Sequence, residues 1–316
     1  MYDLAIIGGG PAGVAAGIYA ARKKIKTLLI TDNFGGQSVV ATDIQNYIGV
    51  KSMSGFEWAQ KLEEHLRAQS DIDIVDSDLV VKVEKNPVPK LRVGRGQGGF
   101  KLFTQKGKTF ESKTILVASG SGRKKLNVPG ESQFEGKGVS YCSTCDAPLF
   151  KNKTVAIIGG GNVGLETVLD LVPYAKKIYL LEFMESLKGD KATQEKIMAG
   201  KLKPEIITMA KTTKIIGDKF VTALEYEDRK TGKISQLKIN GVFVAIGLAP
   251  NSDFVKDLCE LNKYGEIIVD PKTQKNSAEG IWAAGDVTDV LYKQNNISMG
   301  DGIKAVLNIY DYLNKQ

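Results

Sequence analysis

Val155-Ala156-Ile157-Ile158-Gly159-Gly160-Gly161-Asn162-Val163-Gly164 reads as a buried strand running into a glycine-rich turn that opens a helix. Each glycine of such a turn serves a separate purpose. Gly159 turns the chain sharply, Gly161 lets a pyrophosphate approach the backbone, and Gly164 lets helix pack on strand. The next strand, Lys177 to Leu181, ends at Glu182. That is about 20 residues past the glycines, where an acid accepts hydrogen bonds from an adenosine ribose. Gly159, Gly161, Asn162, Val163, Gly164 and Glu182 are therefore the expected NAD(P)-binding residues. A carboxylate there welcomes a free 2′-hydroxyl and repels a 2′-phosphate. Phe183-Met184-Glu185-Ser186-Leu187-Lys188 holds no arginine, so NADH is favoured over NADPH.

The same order opens the chain. A strand over residues 3–7 leads into Gly8-Gly9-Gly10-Pro11-Ala12-Gly13 and a small-residue helix from Val14 to Arg22. The helix N-terminus faces the phosphates of a second dinucleotide. The following strand, Thr27 to Ile30, ends at Thr31-Asp32, and Asp32 is either a ribose acceptor or a turn residue. Two such units predict an α/β chain.

Just ahead of the second turn stands Cys142-Ser143-Thr144-Cys145-Asp146. A Cys-x-x-Cys pair closes a small disulfide and often holds a thiol of lowered pKa. An acid follows it directly, within reach of proton transfer. Structural zinc needs about four Cys or His ligands, but the chain has three cysteines and one histidine. Cys259 lies alone, and His65 reads as a surface residue of a helix, so no metal is expected. A thiol pair beside a nucleotide turn suggests electrons passing between a cofactor and a disulfide.

Composition sets the wider frame. The 316 residues are 42% hydrophobic and 25% charged, with a net charge of +7. That is ordinary globular composition, long enough for two cored domains. The positive charge is either a solvated surface or an attraction to an acidic partner. The lysines form no stripe, so nucleic acid is not expected. The N-terminus lacks the basic and apolar regions of a signal peptide, and no apolar run reaches membrane-spanning length. A cytoplasmic protein is expected.

Elsewhere, Phe34-Gly35-Gly36-Gln37 brings backbone close to a flat ring. Residues 54–69 form an amphipathic helix through Phe56, Ala59, Leu62 and Leu66. Residues 72–117 and 205–245 are mainly strands, with flexible tips at Lys90–Gly99 and Arg229–Lys233. Thr114–Gly122 and Gly241–Gly247 read as crossovers between domains. Gly280–Asp286 ends a strand on an acid placed for a ribityl hydroxyl, and a last helix spans about Gly300–Leu313.

Together GGGPAG at 8–13, GGQ at 35–37, CSTCD at 142–146, GGGNVG at 159–164 and AAGD at 283–286 with Tyr292-Lys293-Gln294 resemble the low-molecular-weight thioredoxin reductases along the whole chain. The resemblance implies two Rossmann-like three-layer domains, the second inserted in the first. An FAD-binding domain takes 1–117 and 247–316, and a NAD(P)-binding domain with the CxxC takes 118–246. It implies a homodimer. Carried over by position, Gly8, Gly10, Pro11, Ala12, Gly13, Asp32, Gly35, Gly36, Gln37, Asn46, Gly120, Gly285, Asp286, Lys293 and Gln294 hold FAD. Cys145 faces the flavin, Cys142 attacks the substrate disulfide and Asp146 is the acid/base. Two departures stand out. The basic run of the NADPH-dependent members is replaced by Glu182–Lys188, which with Lys293 is similar to the NADH-dependent flavoprotein of the alkyl hydroperoxide system. The usual CxxCDG reads Cys145-Asp146-Ala147-Pro148.

The expected reaction carries electrons from a reduced nicotinamide through FAD and the Cys142–Cys145 pair to a thioredoxin-like protein. A bulky client and a nicotinamide cannot share one arrangement of the domains, so the inserted domain must swing. Two other readings remain. In one, the same fold takes its electrons from ferredoxin, as some members do. In the other, the chain binds flavin as a regulator whose cysteines never turn over.

Overall fold

The computed structural model describes residues 1–41, 44–86 and 98–315, and most of the tip expected at Lys90–Gly99 lies outside them. The chain divides into two compact units, Met1–Gly122 with Ala249–Gln316, and Arg123–Leu248.

The first unit runs β1 (Tyr2–Gly9), α1 (Pro11–Arg22), β2 (Thr27–Phe34), α2 (Gly55–Arg67), β3 (Ile72–Val75), β4 (Val80–Lys85), β5 (Phe100–Thr104) and β6 (Thr109–Val117). The sheet order is β3-β2-β1-β6-β5-β4. It forks at β6. Residues Thr109–Ser112 pair antiparallel with β5, while Ile115–Val117 pair parallel with the returning strand Ile281–Ala283. Successive side chains of a strand face opposite ways, and both faces here are apolar. Leu4, Ile6, Leu29 and Leu116 pack on Val14, Ala16, Leu62 and Val306 of the helical face. Their alternates Ala5, Ile7, Leu28, Ile115 and Val117 pack on Val83, Phe100 and Leu102.

Helix α2 starts at Ser54, whose side chain accepts the Glu57 N–H at 3.2 Å. Its buried stripe is Trp58, Ala59, Leu62 and Leu66. Phe56, expected on that stripe, is 62% exposed. A stripe through Trp58 keeps helical spacing with the same three partners and buries the larger ring.

The second unit holds β8 (Val139–Ser140), α3 (Ser143–Asp146), β9 (Thr154–Ile158), α4 (Asn162–Leu171), β10 (Lys177–Leu181), α5 (Lys191–Ala199), β11 (Glu205–Ile207), β12 (Ala210–Gly217), β13 (Val221–Asp228), β14 (Ile234–Lys238) and β15 (Gly241–Val244). Its parallel sheet is ordered β11-β10-β9-β15-β8, and β12-β13-β14 form a separate antiparallel sheet. The layering repeats that of the first unit. Val155, Ile157, Ile178 and Leu180 pack on Leu165 and Val168 of α4, and Ala156, Ile158 and Leu181 pack on Ile215 and Leu224 of the small sheet.

Between the units the chain passes through β7 (Ser121–Arg123) and β16 (Leu248–Pro250), which pair with each other. After β17 (Ile281–Ala283), α6 (Asn295–Asn314) begins five residues earlier than expected. Gln294 ahead of it is extended and offers no side-chain cap, so the helix start carries none of the usual signal. Among the described residues, no helix is long and apolar enough to cross a membrane.

Candidate functional sites

In the first unit the β1–α1 turn is shaped by contacts that only glycine permits. Gly8 has φ +115°, and a Cβ there would lie 2.3 Å from the Ala118 carbonyl oxygen. A Cβ on Gly13 would meet the Gly8 carbonyl oxygen at 1.9 Å. Gly10, in contrast, has nothing within 4 Å of a built Cβ. It is the N-cap of α1, with Pro11 at the first helical position. Open backbone at a helix N-terminus suits a phosphate, because unpaired N–H groups and the helix dipole both favour an anion.

From this turn extends a cavity of ≈ 570 Å³, within the range of cofactor pockets. Of the expected residues, Gly8, Gly10, Pro11, Ala12, Asp32, Gly36, Gln37, Gly120, Gly285 and Asp286 line it. Gln37 donates to the Ser121 carbonyl oxygen at 2.6 Å and to its Oγ at 3.0 Å. Asp286 is half-buried, and desolvation raises its pKa above the ordinary carboxylate value, against the opposing charge of Lys293. Open Gly10, a cavity of this volume and this acid at its wall fit a dinucleotide.

Five expected residues are not on that wall. Gly13 lies under the turn. Gly35, at φ +84°, donates its N–H to the Gly9 carbonyl at 3.0 Å. Asn46 Nδ2 donates to Gln294 Oε1 at 3.2 Å. The Lys293 ammonium donates to Glu266 Oε1 (2.7 Å), Asp286 O (2.8 Å) and Thr288 O (3.1 Å), which uses all three of its protons. Lys293 thus fastens the backbone that carries Asp286. Sequence reasoning missed Ser121, Asn251, Phe254 and Asn295, which also line the cavity. They come from segments far apart in the chain and carry no local signature.

The second unit repeats the turn. Gly159 has φ +112° with a Cβ position 2.4 Å from the Ala245 carbonyl oxygen, Gly164 would meet Gly159 O at 1.8 Å, and Gly161 is open. Gly161 is the N-cap of α4. Asn162 accepts the Asp190 N–H at 2.8 Å, and Val163 is 45% exposed. Glu182 is 7% exposed. Its Oε2 accepts the Gly160 N–H at 2.6 Å and its Oε1 accepts the Met184 N–H at 2.8 Å.

Cys142 is disulfide-bonded, while Cys259 is a free buried thiol whose pKa burial pushes up to about 12. A thiol that stays protonated is a poor nucleophile, which leaves Cys259 outside the chemistry. The side chain of Cys145 lies outside the described residues. Ser140 Oγ accepts the Cys142 N–H at 3.1 Å, and Ser143 Oγ donates to Asp170 Oδ2 at 2.6 Å. The cysteine turn is so tied to α4, the helix of the glycine turn. Asp146 closes α3, and Ala147 after it is buried against Phe150. Burial lowers the pKa of Arg123, with the charge of Asp146 acting the other way.

Two dinucleotide cradles of one design, with a disulfide-bonded cysteine in the second unit, define an oxidoreductase that handles two nucleotides. The family described as pyridine nucleotide-disulphide oxidoreductase matches residues 2–302. Among solved structures, thioredoxin reductase of Lactococcus lactis superposes with a TM-score of 0.84 at 30% identity over 100% of both chains. That of T. acidophilum superposes with a TM-score of 0.80 at 35% identity over 99% of both. The F subunit of alkyl hydroperoxide reductase from Staphylococcus aureus (strain MRSA252) is 43% identical over 99% of this chain and 59% of its own length. Its counterpart in Escherichia coli (strain K12) is 43% identical over 99% of this chain and 58% of its own. The chain thus spans a little under three fifths of the length of these two relatives. It belongs to the pyridine nucleotide-disulphide oxidoreductase family and has the fold of the thioredoxin reductases. Membership implies FAD and a reduced nicotinamide nucleotide as cofactors.

Proposed function

We propose that the chain is a disulfide reductase that passes an electron pair from NADH to a disulfide on a thioredoxin-like protein. The repeated glycine turn, with Gly10 open in one unit and Gly161 open in the other, is the observation that carries this reading. The first unit is the FAD domain and the second the nicotinamide domain. Bound FAD would supply the one group able to accept a hydride and release its two electrons to a disulfide.

The protein's own residues do the rest. Gly10 and the first turn of α1 hold one pyrophosphate, and Gly161 and the first turn of α4 hold the other. Asp286 orients the ribityl chain, Cys142 as thiolate attacks the client disulfide, and Asp146 exchanges the proton of the departing thiol. NADH is preferred because Glu182 and Glu185 place negative charge beside the segment Phe183–Lys188, which has no arginine. The Glu182 charge is buried, so solvent screens it poorly. The inserted unit swings about Gly120 and Gly247. Both have positive φ, +65° and +97°, and nothing within 4 Å of a built Cβ. The proposal includes a cytoplasmic homodimer.

The test is anaerobic mixing of the yellow protein with NADH and then NADPH while flavin absorbance is followed. Bleaching by NADH at lower concentration than NADPH is expected. A flavin that both leave oxidised while reduced ferredoxin bleaches it would replace the donor. Cys142→Ser and Cys145→Ser should each abolish client reduction while flavin bleaching survives. Client reduction unchanged in both would end the disulfide reading. A cross-link that fixes the two units should stop turnover and leave flavin bound.

A further inference from the structure

The acid Glu182 does not occupy the position in its unit that Asp32 occupies in the other. The two turns can be superposed by register. Ile7 pairs with Ile30 in the first sheet, and Ile158 pairs with Leu181 in the second. Two residues past the first position of each pair and one past the second, Gly9 donates its N–H to Thr31 Oγ1 at 2.9 Å, and Gly160 donates its N–H to Glu182 Oε2 at 2.6 Å. Both bonds span 22 residues. Glu182 therefore matches Thr31, whose side chain ties the glycine turn to the second strand. Its own two oxygens are engaged with the backbone of Gly160 and Met184.

The residue after the tie is the one that looks outward. In the first unit that is Asp32, exposed and on the wall of the cavity. In the second unit it is Phe183, 47% exposed. Phe183 is held firmly for an exposed ring. Glu182 N–H bonds to Ile207 O at 2.9 Å, and Met209 N–H bonds to Met184 O at 3.0 Å. Arg229, from the turn between β13 and β14, places its guanidinium 3.7 Å from the centre of the Phe183 ring. Its Nη1 donates to the Phe183 carbonyl at 2.9 Å. A planar cation on an aromatic ring, with a hydrogen bond fixing the pair, gives a flat and rigid surface where the first unit has an acid.

We propose that Phe183, backed by Arg229, is the platform on which the adenine of the nicotinamide nucleotide stacks, beside Glu182, which also fastens the glycine turn. This rests on the second unit being the nicotinamide site. An aromatic platform suits adenine because every base has a π-face that can stack on an aromatic side chain. Truncation of the ring therefore weakens nucleotide binding by roughly tenfold.

The experiment compares NADH with reduced nicotinamide mononucleotide, which has the reacting ring and no adenine. In Phe183→Ala the KM for NADH should rise about tenfold at unchanged kcat, while the KM for the mononucleotide stays put. Calorimetric titration of the oxidised protein should show the same loss for NAD⁺ and none for nicotinamide mononucleotide. Phe183→Trp should restore NADH affinity, and Arg229→Ala should give a smaller loss confined to the dinucleotide. Flavin content should be unchanged in all three. An unaltered NADH KM in Phe183→Ala, or equal losses for both donors, overturns the platform and leaves the donor reading standing. A wild-type flavin that NADH does not bleach overturns the donor reading, and the platform with it.

Discussion

The two glycine turns of this chain have one backbone and two different locks. Gly8 and Gly159 share a φ near +115°, and in each turn the first glycine presses on a carbonyl of the neighbouring crossover segment, at Ala118 or Ala245. Yet the N–H of the middle glycine is held by a neutral hydroxyl of Thr31 in one unit and by the carboxylate of Glu182 in the other. The two turns thus share one backbone geometry, while the side chain that fastens the turn differs between them. The residue after the lock differs too, a solvated acid at Asp32 and an aromatic ring at Phe183.

The largest effect should come from the shared part. A Cβ at Gly8 or Gly159 collides with backbone and sits at a φ that L side chains avoid, so neither site can relax cheaply. Gly8→Ala should yield protein that loses flavin, with affinity down roughly 100-fold. Gly159→Ala should stay yellow and lose bleaching by NADH to a similar degree. Absorbance of the purified proteins and anaerobic titration read the two outcomes. Loss of flavin from Gly159→Ala would show that the two cradles are not separate sites.

The locks should differ by a smaller margin. Glu182→Ala strands two backbone N–H groups that now bond to a buried charged acceptor, a loss of about 3 kcal/mol. Thr31→Ala strands only the Gly9 N–H from a neutral partner, about 1 kcal/mol. Both tryptophans, Trp58 and Trp282, belong to the first unit. Urea unfolding followed by tryptophan fluorescence should therefore shift for Thr31→Ala, and unfolding followed by circular dichroism should shift more for Glu182→Ala. Equal shifts in fluorescence for the two variants would refute the assignment of each lock to its own unit.

How far the sequence can be read depends on the same contrast. The turns are legible because the roles of their glycines are local, and the strands because continuous apolar runs at 4–7, 155–158 and 178–181 match sheets buried on both faces. Glu182 is legible as an acid at the right spacing, but spacing alone does not reveal that its two oxygens face the backbone of its own turn. Phe56 is expected on the buried stripe of α2 because it keeps the spacing to Ala59. Trp58 keeps spacing to the same stripe, and only packing decides between them. The resemblance makes Lys293 a flavin contact. Its ammonium also meets Glu266, a residue with no signal in the sequence that ties it to Lys293. The part of the cavity built by Asn251 and Phe254 is silent for the same reason: it exists only where distant segments converge.

The smallest effect tests the acid that the first cavity buries, Asp286. Asp286 is raised above its ordinary value of 3.8 by burial, so the folded protein holds this proton over a pH range where the unfolded chain has released it. Stability from this group is therefore complete below pH 3.8 and declines as pH climbs through the raised native value. In flavin-free protein, Asp286→Asn should remove that decline. The variant's Tm-versus-pH curve should meet that of the parent at the acid end and lie above it near neutrality. If Asp286→Asn leaves the pH dependence unchanged, burial of Asp286 is not what sets its proton, and the ion pair of Lys293 with Glu266 becomes the place to look.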